Sequence, residues 1–337
     1  MKTRTTYRIP RLVSHLQAKS HPEMAKLETE SHEWVRKNLS HMLRTPGDIE
    51  LLIEQRIAQW TCLVYPDASP DTASALCNLF QYFFALDDIC ISQTGGHQDS
   101  AAAMMRDILE LLERPGSRPE SAESLEMLAD ALRPIAANQT PEQQRRFLRH
   151  MKSFLCGFAT ESEIRAGKTI LEMDDLLALR RETCGGKWCF ELIEYGLGIS
   201  LPDHILDREE IRRLQCAALD QLLLVNDLFS YRKEFAVGDH INAVPVLRNS
   251  EGLEMQGAVD AVCGLIGERG RDFSQARHDI MSGDLAGLHD LTRYVESLGH
   301  MMAGNLLWHY TSTRYHGSGY TWNGEFDLTV ELEVGDE

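Results

Sequence analysis

Asn226, Ser230 and Glu234 fall at four-residue spacing inside the run VNDLFSYRKEF, residues 225–235. Side chains four apart stack along one helix face, so the row Ala218, Leu222, Asn226, Ser230, Glu234 begins apolar and turns into an amide, a hydroxyl and a carboxylate. Three hard oxygen donors on a core-facing row make a low-charge site for a hard divalent cation and leave positions free for phosphate oxygens. The plainer alternative is a polar helix face near a terminus, because Gly238 soon ends the helix.

A second stripe makes the same transition. Leu76, Phe80, Phe83 or Phe84, and Asp87 are spaced by three and four, so Asp87 continues an apolar face. A bare carboxylate is costly there, and Asp87 and Asp88 repel one another unless a cation sits between them and solvent. An Asp pair also marks ordinary water-facing helix ends. In RRETCGG, residues 180–186, the paired Gly185 and Gly186 interrupt a helical pattern, leaving carbonyls free to face a cavity while Arg180 or Arg181 binds an anion. The same stretch also fits a plain kink with surface arginines. Near the end, Trp308 lies on the apolar side of a helix that closes in Arg314-Tyr315. Such a Trp is most often core and such a pair most often surface.

The rest of the chain must position these groups. Helical periodicity dominates, over roughly 22–42, 47–62, 71–93, 100–114, 120–137, 141–166, 170–182, 186–198, 207–235, 251–283 and 286–315. Turn chemistry separates the segments, as in RPGSRP at 114–119 and VGDH at 237–240. With 337 residues, no Gly/Ser-rich linker and no internal repeat, a single all-α domain over 1–315 is expected, followed by a weakly patterned, loosely ordered acidic tail over 316–337. The 51 acidic and 34 basic residues give a net charge of −17, which argues against nucleic-acid and anionic-membrane partners. An anionic substrate would need a local Arg/Lys cluster or metal ions. The eight cysteines form no CxxC pair, no apolar run spans a bilayer, and the basic N-terminus lacks an apolar signal core, so a cytoplasmic protein is expected.

Together these motifs resemble the class I terpene synthases, over nearly the whole chain. NDLFSYRKE at 226–234 fits the family's NDxxSxxKE motif, GDHINAVPVL follows at 238–247, and Asp87-Asp88 stand for the Asp-rich motif. Arg180 lies 46 residues before Asn226, where the family carries its pyrophosphate sensor, and Arg314-Tyr315 fit its C-terminal pair. The resemblance implies an all-α helical bundle of the isoprenoid synthase type. It implies three Mg²⁺ ions held by Asp87, Asp88, Asn226, Ser230 and Glu234, and an isoprenyl diphosphate gripped by Arg180, Asn226, Lys233, Arg314 and Tyr315. Thr183 and Cys184 fall at the family's linker and effector positions, and Phe80, Phe84 and Trp308 would face the carbocation. The resemblance also allows a homodimer. Where the Asp-rich motif usually ends in a third acid, Ile91 and Ser92 stand instead.

The expected activity is Mg²⁺-dependent cyclisation of farnesyl diphosphate, with geranylgeranyl diphosphate as the rival substrate. A chain-elongating prenyltransferase would share fold and metals but carries a second Asp-rich motif in place of NDLFSYRKE. A non-catalytic all-α interaction protein, a decayed cyclase, is the alternative from another class.

Overall fold

The computed structural model describes residues 3–40, 42–43, 45–92, 98–113, 123–167 and 169–334. The chain runs β1 (Thr3–Ile9), α1 (Met24–Asn38), α2 (Pro46–Glu54), α3 (Ile57–Val64), α4 (Pro70–Ser92), α5 (Gln98–Glu113), α6 (Glu123–Ala137), α7 (Pro141–Gly167), α8 (Met173–Thr183), α9 (Gly186–Leu197), α10 (Asp203–Leu206), α11 (Glu209–Val237), α12 (Ala243–Ser250), α13 (Met255–Ser282), α14 (His289–Thr311), α15 (Thr313–His316) and β2 (Leu328–Val334). The all-α expectation holds for the body of the molecule. Among the described residues no helix is long and apolar enough to cross a membrane.

The core gathers around α4, α11 and α14, whose inner faces are nearly solid apolar rows such as Leu76, Phe80 and Phe83, or Leu219, Leu223 and Leu224. Close approaches set its width. A Cβ at Gly304 on α14 would collide with the Leu63 carbonyl of α3, and one at Gly186 would strike the Leu219 side chain of α11. Arg146 on α7, itself buried, pairs with Glu191 and Glu194 of α9 and with Asp203 of α10. That network ties α7 to the helix that begins at the glycine break. Broken on one side, such a buried pair costs about 3–5 kcal/mol.

Several boundaries differ from the sequence expectation, each for a local reason. The segment expected as one helix over 47–62 is two, because Arg56 adopts a left-handed backbone (φ 57°) between α2 and α3. The segment over 286–315 is likewise divided at Ser312, which leaves the helix in an extended conformation and caps α15 by accepting from the Arg314 N–H at 3.2 Å. The GDHINAVPVL stretch contains a further helix, α12, capped by the Asn242 side chain accepting from the Val244 N–H at 2.8 Å. Within the expected tail, residues 328–334 are ordered: β2 pairs antiparallel with β1 from Leu328↔Ile9 to Val334↔Thr3, and Leu332 is buried. The alternation in LTVELEV supplies one apolar face for that packing.

Candidate active site

α3, α4, α7, α8, α9, α11, α14 and α15 line a cavity of about 220 Å³. On α4, Asp87 lines it two turns beyond Phe80, about 10 Å along the helix axis. Asp87, Arg180, Asn226, Arg314 and Tyr315 contribute the polar lining, while Trp60, Phe80, Phe83, Phe84, Trp188 and Trp308 contribute rings. Of the residues singled out in the sequence, Thr183 and Cys184 also line the cavity. Asp88, Ser230, Lys233 and Glu234 do not line it.

At the α4 side, Arg314 links both carboxylates. Its Nη2 donates to Asp87 Oδ2 at 2.6 Å and its Nη1 to Asp88 Oδ1 at 2.8 Å. Lys233 Nζ reaches the same Asp88 oxygen at 3.2 Å, across from α11. The two acids differ in consequence. Burial raises the Asp87 pKa, only partly offset by Arg314 and Lys233, although its side chain keeps 36% accessibility toward the cavity. Burial pushes Asp88 the same way, but Arg314, Lys233 and a hydrogen bond from Gln55 hold it below the usual carboxylate value. The Arg314 guanidinium lies 5.1 Å from the centroid of the Phe84 ring, a cation–π seat.

At the α11 side, Arg180 is the organising cation. Its Nη2 donates to Asn226 Oδ1 at 3.1 Å and to Asp227 Oδ1 at 2.9 Å, and Nη1 reaches Glu161 Oε1 at 3.5 Å. Arg180 Nε is buried with no partner. Asn226 Nδ2 donates to the Tyr315 hydroxyl at 3.1 Å, which joins the two ends of the motif set. Glu234 accepts from Asn242 Nδ2 at 2.8 Å, yet burial and then the neighbouring Asp227 push its pKa up to about 7. Arg181, next to Arg180, turns away from the cavity and forks onto the buried Asp220 at 2.7 Å through both Nε and Nη2.

Cavity residues that sequence reasoning left without a role include Phe154, Glu161, Trp188 and His309, while Phe83, read only as part of the apolar stripe of α4, also borders the cavity. Trp188 stacks on Phe80 with centroids 5.1 Å apart, and Trp60 meets Phe80 edge-on at 4.8 Å. His309 is buried, donates from Nδ1 to the Asn305 carbonyl at 2.7 Å, and stacks on Tyr315 at 4.4 Å. Its pKa is pushed down to about 3 by burial, so the ring is neutral. Gln55 and Asp227, outside the cavity lining, were also missed. Phe80, Phe84 and Trp308 do border the cavity, whereas the Ile91 and Ser92 side chains lie outside the described residues.

Among the described residues no three His, Cys, Asp or Glu side chains converge as a self-sufficient metal cage. The donor set nevertheless suits Mg²⁺, which keeps water and substrate oxygens in its shell and needs few protein ligands. Glu234 is a half-buried carboxylate whose repulsion by Asp227 is offset only in part by Arg180, and a cation beside it would relieve both its desolvation and that repulsion.

Residues 78–272 match the family model described as terpene synthase family 2, C-terminal metal binding. A (+)-germacrene D synthase of Selaginella moellendorffii is 30% identical over 317 residues, covering 91% of this chain and 90% of that protein. Sesquiterpene synthase 1 of Postia placenta is 29% identical over 315 residues, with 92% and 90% covered. Among solved structures, an a-eudesmol synthase superposes with a TM-score of 0.79 at 21% identity, covering 89% of this chain and 98% of that one. The motif order, the convergence of Asp87, Arg180, Asn226, Arg314 and Tyr315 on one cavity and these matches agree: the chain belongs to the terpene synthase family and is a terpene synthase carrying that family's metal-binding region.

Proposed function

We propose that this enzyme ionises farnesyl diphosphate with Mg²⁺ and cyclises the resulting carbocation to a sesquiterpene hydrocarbon or alcohol, releasing diphosphate. The carrying observation is the placement of Asp87, Arg180, Asn226, Arg314 and Tyr315 on one aromatic-lined cavity. Farnesyl diphosphate is favoured over geranylgeranyl diphosphate because relatives covered over most of their length are named sesquiterpene synthases. Seven described cysteines are free, which supports a reducing, cytoplasmic setting.

Asp87 and Asp88 on α4, and Asn226, Ser230 and Glu234 on α11, would hold the magnesium. When bound, magnesium acts as a Lewis acid that neutralises the leaving diphosphate. The chain supplies the rest. Arg314 and Arg180 are the charged donors facing the cavity; exchanging a carboxylate for a diphosphate oxygen, each keeps a charge-assisted hydrogen bond while holding the leaving group. Tyr315 adds a neutral donor, and Lys233, already across from Asp88, adds charge behind it. Below this end, the faces of Phe80, Phe84 and Trp308 stabilise positive charge, each by on the order of 0.5–2 kcal/mol. The ring wall also excludes water until the cation has cyclised.

The test is incubation of the full chain with Mg²⁺ and, separately, geranyl, farnesyl and geranylgeranyl diphosphates, with products identified by mass spectrometry. Cyclic C15 products and released pyrophosphate are expected, abolished by EDTA. Turnover in EDTA would remove the metal assignment, cyclic C20 products alone would remove the substrate assignment, and a lengthened diphosphate would identify a prenyltransferase.

A further inference from the structure

The bend between α2 and α3 holds the segment that carries Arg314 from three directions. Before Arg314, the Gln55 carbonyl accepts from the Ser312 hydroxyl at 2.9 Å and from Trp308 Nε1 at 3.1 Å. At Arg314 itself, Gln55 Oε1 accepts from Nη1 at 2.8 Å. After it, the Glu54 carboxylate accepts from the Ser318 hydroxyl at 2.7 Å and the Gly319 N–H at 2.9 Å. Arg56, which also offers its carbonyl to Trp308 Nε1 at 3.2 Å, is the one non-glycine residue with positive φ among the described residues. Strained backbone of this kind persists only where its surroundings enforce it, and it concentrates at functional sites.

The Gln55 amide also faces the other way. Its Nε2 donates to Asp88 Oδ2 at 3.0 Å, so one side chain accepts from Arg314 and donates to Asp88 while those two pair directly. An amide is suited to this place because it offers one acceptor and one donor without adding charge. A carboxylate would repel Asp88, and an ammonium would repel Arg314.

We propose that Gln55 is a positioning residue for diphosphate recognition, its amide fixing the Arg314 guanidinium in register with Asp88 on the bend formed by residues 54–56. This rests on the reading of Arg314 as a diphosphate ligand. With Asp88 tethered through Gln55, Arg314 can transfer its Nη2 from Asp87 to the substrate while Nη1 stays anchored, so the guanidinium pivots rather than searches. Gln55 touches no substrate and acts through Arg314.

The test compares Gln55→Met, which keeps length and bulk but loses both amide contacts, with Arg314→Ala and the double variant in the full chain with Mg²⁺. Gln55→Asn, an amide one carbon too short, gives the same reading if the Met variant folds poorly. Steady-state turnover of farnesyl diphosphate, inhibition by inorganic pyrophosphate and the melting temperature are measured. Gln55→Met is expected to lower kcat/KM by about tenfold to a hundredfold, as misplacement of a binding group does, and to weaken pyrophosphate inhibition with little change in melting temperature. The double variant should be no worse than Arg314→Ala alone. Losses that multiply in the double variant, or a lowered melting temperature with unchanged pyrophosphate inhibition, would reduce Gln55 to a structural contact. An impaired Arg314→Ala beside a fully active Gln55→Met overturns this inference alone; a fully active Arg314→Ala overturns the diphosphate reading and this inference with it.

Discussion

The two ends of the cavity are built on opposite electrostatic terms. At the polar end, cations and carboxylates are paired with one another: Arg314 with the half-buried Asp87 and Asp88, Arg180 with the buried Asp227 and Glu161. At the aromatic end, Trp60, Phe80, Trp188 and Trp308 carry no charge, and even the histidine beside them is held neutral. A site that must separate an anion from a carbocation needs this division. Charge at the first end fixes the leaving group, and absence of charge at the second leaves ring faces as the chief partners for the cation.

The strongest way to break the comparison is to discharge the polar end. Asn226→Ala, Glu234→Ala and Asp87→Asn should each lower turnover of farnesyl diphosphate by more than about a hundredfold, with circular dichroism unchanged. Asp88→Asn should be milder, because Asp88 does not line the cavity and acts through its pairs with Arg314 and Lys233. If Asp88→Asn proves the more severe of the two, the division of roles between these adjacent acids is reversed.

The neighbouring arginines of α8 separate function from stability. Arg180→Ala should remove activity, since its guanidinium lies on the cavity beside Asn226. Arg181→Ala should leave a folded, active but weaker protein, because it strands the fully buried Asp220. Such a loss is about 3 kcal/mol, at the low end because Arg181 is itself a third exposed and Arg269 remains 3.8 Å away. Denaturant melts and initial rates on both variants check this; equal rate losses would show that the polar end extends past Arg180.

What was legible in the sequence follows the range of the interactions. The Asn226, Ser230, Glu234 row is periodic within one helix, and its neighbours in the motif set each announced themselves by type and spacing. Asp227 was hidden inside the same motif, because its partner Arg180 comes from 47 residues earlier and its other oxygen accepts from the Ala243 N–H. Gln55 gave no local signal at all: its partners Asp88 and Arg314 lie 33 and 259 residues away. The bend at Arg56 was illegible for a related reason, since a basic residue rarely adopts positive φ unless tertiary contacts such as its fork onto Glu28 hold it there. The terminal strands did leave a trace in the alternation of residues 328–334, but pairing across more than 300 residues cannot be read from either end alone.

At the aromatic end the expected effects are smaller and concern products before rates. Phe80→Leu is the cleanest variant: it keeps an apolar side chain but removes a ring that meets Trp60 and Trp188. Early-quenched or acyclic products should rise, at a stability cost of about 1 kcal/mol from lost ring contacts. Phe84→Leu also unseats the Arg314 guanidinium, and Trp308→Leu also removes one of two donors to the Gln55 carbonyl, so both should lower rate as well as alter products. A product profile unchanged in all three variants, by gas chromatography with mass detection, would make these rings packing alone.

The smallest effect, and the sharpest check on neutrality, concerns His309. Its folded pKa is about 3 against an ordinary value of about 6.5, so below pH 6.5 the unfolded chain takes up a proton that the folded one refuses. The sign follows: this group costs nothing above pH 6.5 and subtracts stability as the pH falls toward 3. At pH 5 the loss is about 2 kcal/mol, from 1.5 pH units at about 1.4 kcal/mol each. His309→Phe keeps the stack on Tyr315 and removes the titration, so its melting temperature should fall less between pH 7 and pH 5 than that of the unaltered protein, by roughly 3 °C. His316 and His32, whose pKa values burial also lowers, remain in both proteins and cancel in the comparison. If the two melting curves fall in parallel, His309 accepts a proton in the folded state, and the aromatic end is not the uncharged half of the cavity that a long-lived carbocation requires.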